Sequence, residues 1–265
     1  MTGGRTKHKW WRVYVNGYDL SGYSRNIGPL GLVYDEADLT ADMGDTVKGY
    51  LRNHPQVSPG TLNAVFDNTG TTGLHALAQS VAGTSRNVLV AIGMRAAPME
   101  GDPCFGGSFY QSGYQIAEDG GAVTSTIPFT GWAADAESLK YAMPFGQLLH
   151  PNVARTSATG VNIQAGWDNP TKDATAKGGY FMYQVLASNA AGVTATLSVD
   201  HGISAAHVDM GALAGATSGS IVCVPGVSGI VSIGNAVPVK QFMRWQIAFG
   251  TATSVTWVAA FFRNY

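Results

Sequence analysis

QFMRWQIAFG (241–250), TATS (251–254) and VTWVAAFF (255–262) decide the fold class. Both long runs carry large apolar residues at period two, the repeat of a strand with one buried face. A four-residue spacer separates them, which predicts a hairpin. Trp245, Ile247 and Phe249 would then lie on a face matched by Val255, Trp257, Ala259 and Phe261. Upstream, Tyr180 to Ala187, Thr194 to Asp200 and Ser220 to Val224 read as further short strands between turns rich in Gly, Ala and Ser. Strands at such spacing predict a β-sandwich over residues 178–265.

Residues 133–177 read differently. Met143-Pro144-Phe145-Gly146, His150-Pro151 and Trp167-Asp168-Asn169-Pro170 are dense in turn formers, and periodicity is weak. The segment is expected to be a long irregular arm. So long a loop in a compact domain implies that it binds something, and residues 144–177 are candidate contacts with an adjacent subunit.

Strand signals return in residues 1–132. Trp11 to Val15 alternates and ends at Asn16-Gly17, a strong hairpin-turn signal. Val57 to Phe66, Asn87 to Met94, Phe105 to Ile116 and Ala122 to Phe129 read as four more strands. One helix interrupts them: Leu74, Leu77, Ala78 and Val81 recur at i, i+3, i+4 and i+7, with Thr71 or Thr72 as the cap and Gly83 as the stop. The chain is therefore expected to be all-β with one short helix: a β domain at 1–132, a connecting arm at 133–177 and a β-sandwich at 178–265. No internal repeat stands out, which speaks against a solenoid or propeller.

Charged residues make up 12% of the 265, and 34 are glycine, while apolar content is 45%. The charged share is about half the usual ~25%. Such a surface is either covered by uncharged polar side chains or buried against other subunits. Net charge is −1 and names no partner. Arg5, Lys7, Lys9 and Arg12 form a small basic arm, read either as a frayed terminus or as a segment that docks on an acidic surface. Cys104 and Cys223 have no metal or redox spacing and read as ordinary thiols of a reducing compartment. The basic start runs into WWRVYVNGYD, so no signal peptide is expected. No apolar run approaches the ~18 residues of a membrane span.

Catalytic motifs are scarce. The chain has no G-x-x-x-x-G-K-[ST], H-E-x-x-H or G-x-S-x-G. His201 and His207, with Asp200 and Asp209 nearby, are the closest histidine pair and read as a surface loop before a metal site. Asp35, Glu36, Asp38, Asp42 and Asp45 crowd into DEADLTADMGD. That run lacks the order of an EF-hand calcium loop; it reads as a solvated loop, an assembly surface or tube lumen, or a metal or catalytic carboxylate set. Basic residues are too scattered for a phosphate-binding face. Trp167, Trp245 and Trp257 could stack on sugars, with core packing the competing use.

VNGYDLSGYSRNIGPLGLVYDEADLTADMGDTVKGYL resembles the opening of the tail tube (major tail) proteins of long-tailed phages: a first strand, an acidic D…T…GD…K stretch, then a strand leading away. PQVSPGTLNAVFDN, the helix TGLHALAQSVAG, NVLVAIGM and AVTSTIPF follow in that family's order. The later segments GGYFMYQVLASNAAGVTATLSVDHG and VKQFMRWQIAFGTATSVTWVAAFFRN resemble β-sandwich parts of phage virion proteins, at Thr196, Val199, His201, Asp209, Arg244 and Phe261. The resemblance implies a tail-tube-like β-sandwich or barrel followed by a C-terminal β-sandwich. It implies hexameric rings, joined sheet edge to sheet edge and stacked through loops and arms, around a lumen that passes DNA without binding it. On this reading the partners are copies of the chain and other virion proteins, the location is the virion after assembly in the host cytoplasm, and no catalytic residue, metal, cofactor or membrane is involved. Arg5, Lys7, Lys9, Arg12, Asp35, Glu36, Asp38, Asp42 and Asp45 are the assembly or lumen candidates. Many tail tube subunits are shorter and lack the C-terminal module, which keeps a capsid decoration protein and a glycan-binding or hydrolytic β-protein as alternatives.

Overall fold

The structure, a computed structural model, describes residues 8–38, 50–70, 73–79, 83–94, 96–131, 144–156, 162–163, 177–204, 206 and 208–264, with backbone alone at 8, 33–38, 50–56 and 162–163. After a 3-10 turn at His8–Trp10 come β1 (Trp11–Val15), β2 (Tyr18–Asp19), β3 (Ser24–Gly28), β4 (Gly31–Asp38), β5 (Tyr50–Ser58) and β6 (Thr61–Val65). Helix α1 (Leu74–Ala78) precedes β7 (Ser85–Ile92), β8 (Pro103–Gln111), β9 (Gln115–Asp119) and β10 (Ala122–Thr130). The second half holds β11 (Phe145–Arg155), β12 (Asn162–Ile163), β13 (Gly179–Ser188), β14 (Thr194–Gly202), β15 (Gly211–Val222), β16 (Ser228–Ile233), β17 (Phe242–Phe249) and β18 (Val255–Arg263). Among the described residues the chain is all-β with one short helix, and no barrel closes.

Strand order in the second half is diagnostic. One layer runs β16-β13-β18-β11 and the facing sheet runs β12-β17-β14-β15. Successive strands change sheet at every step except β14 to β15. That is the eight-stranded, double Greek-key order of a jelly roll. Its core holds Leu197, Val199, Trp245, Ile247, Val255, Trp257 and Phe261, all at most 1% exposed.

The expected hairpin of the last two strands does not form. β17 pairs with β14, where Trp245 faces Val199, while β18 pairs with β11 and β13, where Trp257 faces Val153 and Val185. The matched faces nonetheless share one core, with Phe249 packed at its margin. Period two says which residues share a face. It does not say whether the matching face lies beside it, ~5 Å away in one sheet, or across it, ~10 Å away in another.

Residues 145–155, expected as irregular arm, form β11, which is paired on both edges. Register shifts at Leu148/His150 and His150/Val153 break its alternation, and Pro151 lies within the second. Bulges of this kind erase the period that a sequence reading relies on. The rest of the expected arm, 133–143 and 157–176 apart from β12, lies outside the described residues.

In the first half, β3-β6-β10-β9 form a layer that packs, with α1, on a layer of β2-β1-β7-β8. Val13, Leu62, Leu74, Val88, Phe105, Phe109, Ile127 and Phe129 fill this second core. The Asn16-Gly17 turn forms as expected between β1 and β2, with φ of 48° and 77°. The run 57–66 is two strands, not one, because Pro59 and Gly60 (φ 66°) turn the chain between β5 and β6. The run 105–116 likewise splits into β8 and the start of β9. Helix α1 is capped by Gly73 with no side-chain hydrogen bond; Thr71, Thr72 and Val81 lie outside the described residues.

β8 joins the halves. One edge pairs with β7 along its length; the other pairs with β11 at Pro103–Phe105 and with β10 at Tyr110–Gln111. A third core lies between β1-β7-β8 and the outer face of the jelly-roll layer: Tyr14, Leu89, Ala91, Cys104, Leu148, Tyr180, Met182, Val258, Ala260 and Phe262. Four sheet layers thus enclose three cores. This explains why β18 is apolar almost throughout, since it is buried on both faces. Polar links cross the third core: the Gly17 N–H donates to Gln184 Oε1 at 2.8 Å, Gln184 Nε2 donates to Tyr14 O and Asn87 O, and the Tyr180 hydroxyl donates to Gly106 O at 2.8 Å.

Candidate assembly surfaces

Two features of the first half have no strand partner on one side among the described residues. The first is β9. It pairs with β10 on one edge only, through five consecutive residues without a bulge, and all five of its residues are exposed. Ile116 (48% exposed) and Val123 (46%) sit on it and beside it. At the opposite side of the same layer, β3 pairs only with β6 and carries a register shift at Ser24/Asn26. Among the described residues the layer therefore has two open edges. Arg25 and Asp119 form an exposed ion pair at 2.8 Å. Edges of folded proteins are normally shortened, bulged or covered. β15, the long outer strand of the jelly roll, is defended in this way: its ladder shifts register twice and carries glycines at positive φ (Gly215, Gly219).

The second feature is the hairpin β4–β5. These strands form a two-stranded sheet of their own. Its root is anchored where Val57 packs on the first-half core and Ser58 Oγ donates to Phe129 O at 3.5 Å. Asp35, Glu36 and Asp38 are carried on β4, with Glu36 opposite Arg52 and Asp38 opposite Tyr50. Asp42 and Asp45 lie outside the described residues. So do Arg5 and Lys7. Of the basic arm, Lys9 lies over the Trp10 ring at 5.6 Å, and Arg12 donates to the carbonyls of Lys9 (3.2 Å) and Trp11 (2.9 Å). The structure therefore places the described charged candidates on different elements, Asp35, Glu36 and Asp38 on β4, and Lys9 and Arg12 at the 3-10 turn and the start of β1.

A buried polar cluster in the jelly roll invites a catalytic reading. His150 is fully buried, stacked on Trp257 at 4.5 Å and edge-on to Trp245 at 4.7 Å. Its Nδ1 lies 3.0 Å from Trp257 O, and its Nε2 accepts from Arg155 Nε at 2.8 Å. Arg155 also reaches Glu100 at 3.3 Å and lies over the Trp245 ring, while Trp245 Nε1 donates to the same Glu100 oxygen. Burial holds the imidazole neutral, its pKa lowered to about 3, and pushes the Glu100 carboxyl up. The geometry fixes the tautomer: Nδ1 donates and Nε2 accepts. With both nitrogens engaged, no lone pair faces a substrate, so the cluster ties β11, β17, β18 and the 96–102 connection together. Sequence reading passed over it because its members lie 5 to 157 residues apart, counted from Arg155 and Glu100 to His150 and Trp257.

Other candidates also resolve into packing. Trp245 and Trp257 are buried and unavailable for sugar stacking; Trp167 lies outside the described residues. His201 Nδ1 accepts the Lys240 N–H at 3.2 Å, and the Asp209 carboxylate is held below the usual range by the N–H groups of Ile203 and Ser204. His207 lies outside the described residues. Cys104 and Cys223 are free and buried, in two different cores.

No family model and no curated protein matches the chain. Among solved structures, the crystal structure of the Dit protein of SPP1, described as a paradigm of the hub adsorption apparatus in phages infecting Gram-positive bacteria, aligns with 96% of this chain and 99% of its own. Identity is 10% and the TM-score 0.32, values that establish neither a shared fold nor a shared role.

Proposed function

We propose that this chain is a non-enzymatic structural protein of a virion that assembles with copies of itself, and specifically that it is the subunit of a phage tail tube built of stacked hexameric rings. The observation that carries this reading is the four-stranded layer whose two edges are open among the described residues, one of them the regular and fully exposed β9. Pairing of that edge with an edge of the next copy continues the sheet around a ring. The low charge content supports it, because surfaces buried in an assembly need few charges to stay soluble. Acidic and neutral walls in the lumen would let DNA pass without adhering. The partners are then copies of the chain and other virion proteins, with assembly in the host cytoplasm.

A second reading has its own observation. Jelly rolls build viral capsid and lectin domains, so the strand order of the second half favours a capsid decoration protein or a glycan-binding module. Electron microscopy of the purified chain, with light scattering on the same sample, separates the two. Rings with a central hole, or hollow tubes, are expected. Replacing Ile116 and Val123 by Asp is expected to leave a folded monomer by circular dichroism and to abolish those particles. A wild-type chain that stays monomeric or trimeric at every concentration rules out the tube and transfers the case to the second reading.

A further inference from the structure

The layer β3-β6-β10-β9 has two different ends. β9 reads Gln115-Ile116-Ala117-Glu118-Asp119, with two acids and no base, and β3 reads Ser24-Arg25-Asn26-Ile27-Gly28, with one base and no acid. Among the described residues each pairs with one neighbour, β9 with β10 and β3 with β6. Every step across these four strands is antiparallel, so β3 and β9 run in opposite directions. When the sheet of one copy continues into the next, β3 of the next copy therefore meets β9 antiparallel, and the ladder of hydrogen bonds carries on.

Charge decides between this contact and a two-fold one. β9 against β9 of a second copy gathers four carboxylates at one junction and no cation, and like charges on paired strands oppose it. β9 against β3 sets Glu118 and Asp119 against Arg25. Turning Arg25 to the junction costs little, because its pair with Asp119 of its own chain is an exposed one, the two side chains 44% and 70% accessible. The pleat fixes the register. Ile116 lies opposite Ser125, on the face that Ile127 turns to the core, and Ala117 lies opposite Thr124 on the outer face. On β3, Ile27 is on the core face, opposite Leu62, and Asn26 is on the outer face, where its Oδ1 accepts from Asn63 Nδ2 at 2.7 Å. A slip of one residue would turn every side chain of the junction to the wrong face.

We infer that β9 of one copy pairs antiparallel with β3 of the next, with Ile116 opposite Ile27, Ala117 opposite Asn26 and Glu118 beside Arg25 of that next copy. The inference rests on the self-assembly reading and specifies the junction that it needs. Ile116, 48% exposed in the single chain, is then covered beside an apolar neighbour. Because the two edges differ, the contact is head-to-tail, and repetition propagates it instead of closing a two-fold dimer.

Paired cysteines test this. Residues directly opposite on antiparallel strands have Cα atoms ~4.5–5.5 Å apart, within the span of a disulfide. Within one chain positions 26 and 117 are three strand spacings apart, ~14 Å, too far for a bond. The native thiols Cys104 and Cys223 are buried. Wild type is followed by light scattering, and N26C/A117C is assembled in reductant, oxidised and run on a denaturing gel without reductant. A ladder of covalent oligomers is expected. N26C and A117C are expected to stay monomeric when oxidised singly and to give a dimer and nothing larger when mixed, which misfolded chains would not do. R25C/E118C repeats the test one residue along the same register. Wild type that assembles while neither pair cross-links overturns this junction and leaves self-assembly standing. A117C that cross-links to itself overturns it in favour of the two-fold contact. Wild type that never assembles overturns the self-assembly reading and this junction with it.

Discussion

Replacing Gly17 by Ala probes the joint on which the four-layer stack depends. Gly17 is the second residue of the β1–β2 turn, at φ +77°. A Cβ there would lie 2.8 Å from Gly226 N, 2.8 Å from Val185 O and 2.9 Å from Gly226 C. All three are backbone atoms of the jelly-roll half, and none can rotate away. The left-handed backbone costs a residue with a side chain about 1–2 kcal/mol, and overpacking a tight contact about 1–3 kcal/mol. The sum is about 2–5 kcal/mol, and at roughly 2–4 °C per kcal/mol for a chain of this size the midpoint should fall by roughly 4–20 °C. Gly22 is the control. It lies in the neighbouring turn, has no positive φ, and a Cβ there meets nothing within 4 Å. Gly22→Ala should leave the midpoint unchanged or raise it, by about 0.4–1 kcal/mol from the restricted unfolded chain. Thermal unfolding followed by circular dichroism gives both numbers. If Gly17→Ala melts with wild type, the packing of the β1–β2 turn against Val185 and Gly226 is wrong, and with it the rigid joint between the halves.

Acid should destabilise the chain through His150. Its folded pKa of about 3 lies below the unfolded value of 6.5, so between those values the unfolded chain binds the extra proton. The stabilisation is therefore complete above pH 6.5 and is lost as pH falls toward 3, by at most about 4–5 kcal/mol. Glu100, whose carboxyl is pushed up by burial, acts in the opposite sense and offsets part of the loss. Urea midpoints at pH 7 and pH 4.5 should differ clearly in wild type and much less in His150→Gln; equal slopes would show that His150 is not the group responsible. Both thiols are buried and free, so a thiol reagent should label neither in native protein and both in urea. Fast native labelling of Cys104 would contradict its place in the core between the halves.

Much was legible in the residues themselves. Alternation marked the strands around Val13, Leu62, Ile127, Trp245 and Trp257, a continuous apolar run marked the one around Val88, and the Asn16-Gly17 turn announced its own conformation, because turn geometry and side-chain pattern are local properties. The short amphipathic helix was visible for the same reason. Of the candidate surfaces, the acidic and basic stretches could be read as sequence, since they are runs of neighbours. The edge strand β9 and the His150 cluster could not, because exposure of an edge depends on which strand fails to arrive beside it.

What the sequence determined alone was the all-β class, the strands with a regular apolar pattern, the face each of those presents and the scarcity of charge. Tertiary structure decided the partners. Trp245 and Trp257 meet across two sheets and not within one hairpin. β11 holds its place at the joint through two bulges that hide its period. β18 reads as apolar on both faces because a third core, made by residues from the other half of the chain, covers the face that a simple sandwich would leave in water. Strand pairing is a contact between distant residues, and its free energy depends on every layer that closes over it, so no window of sequence contains it.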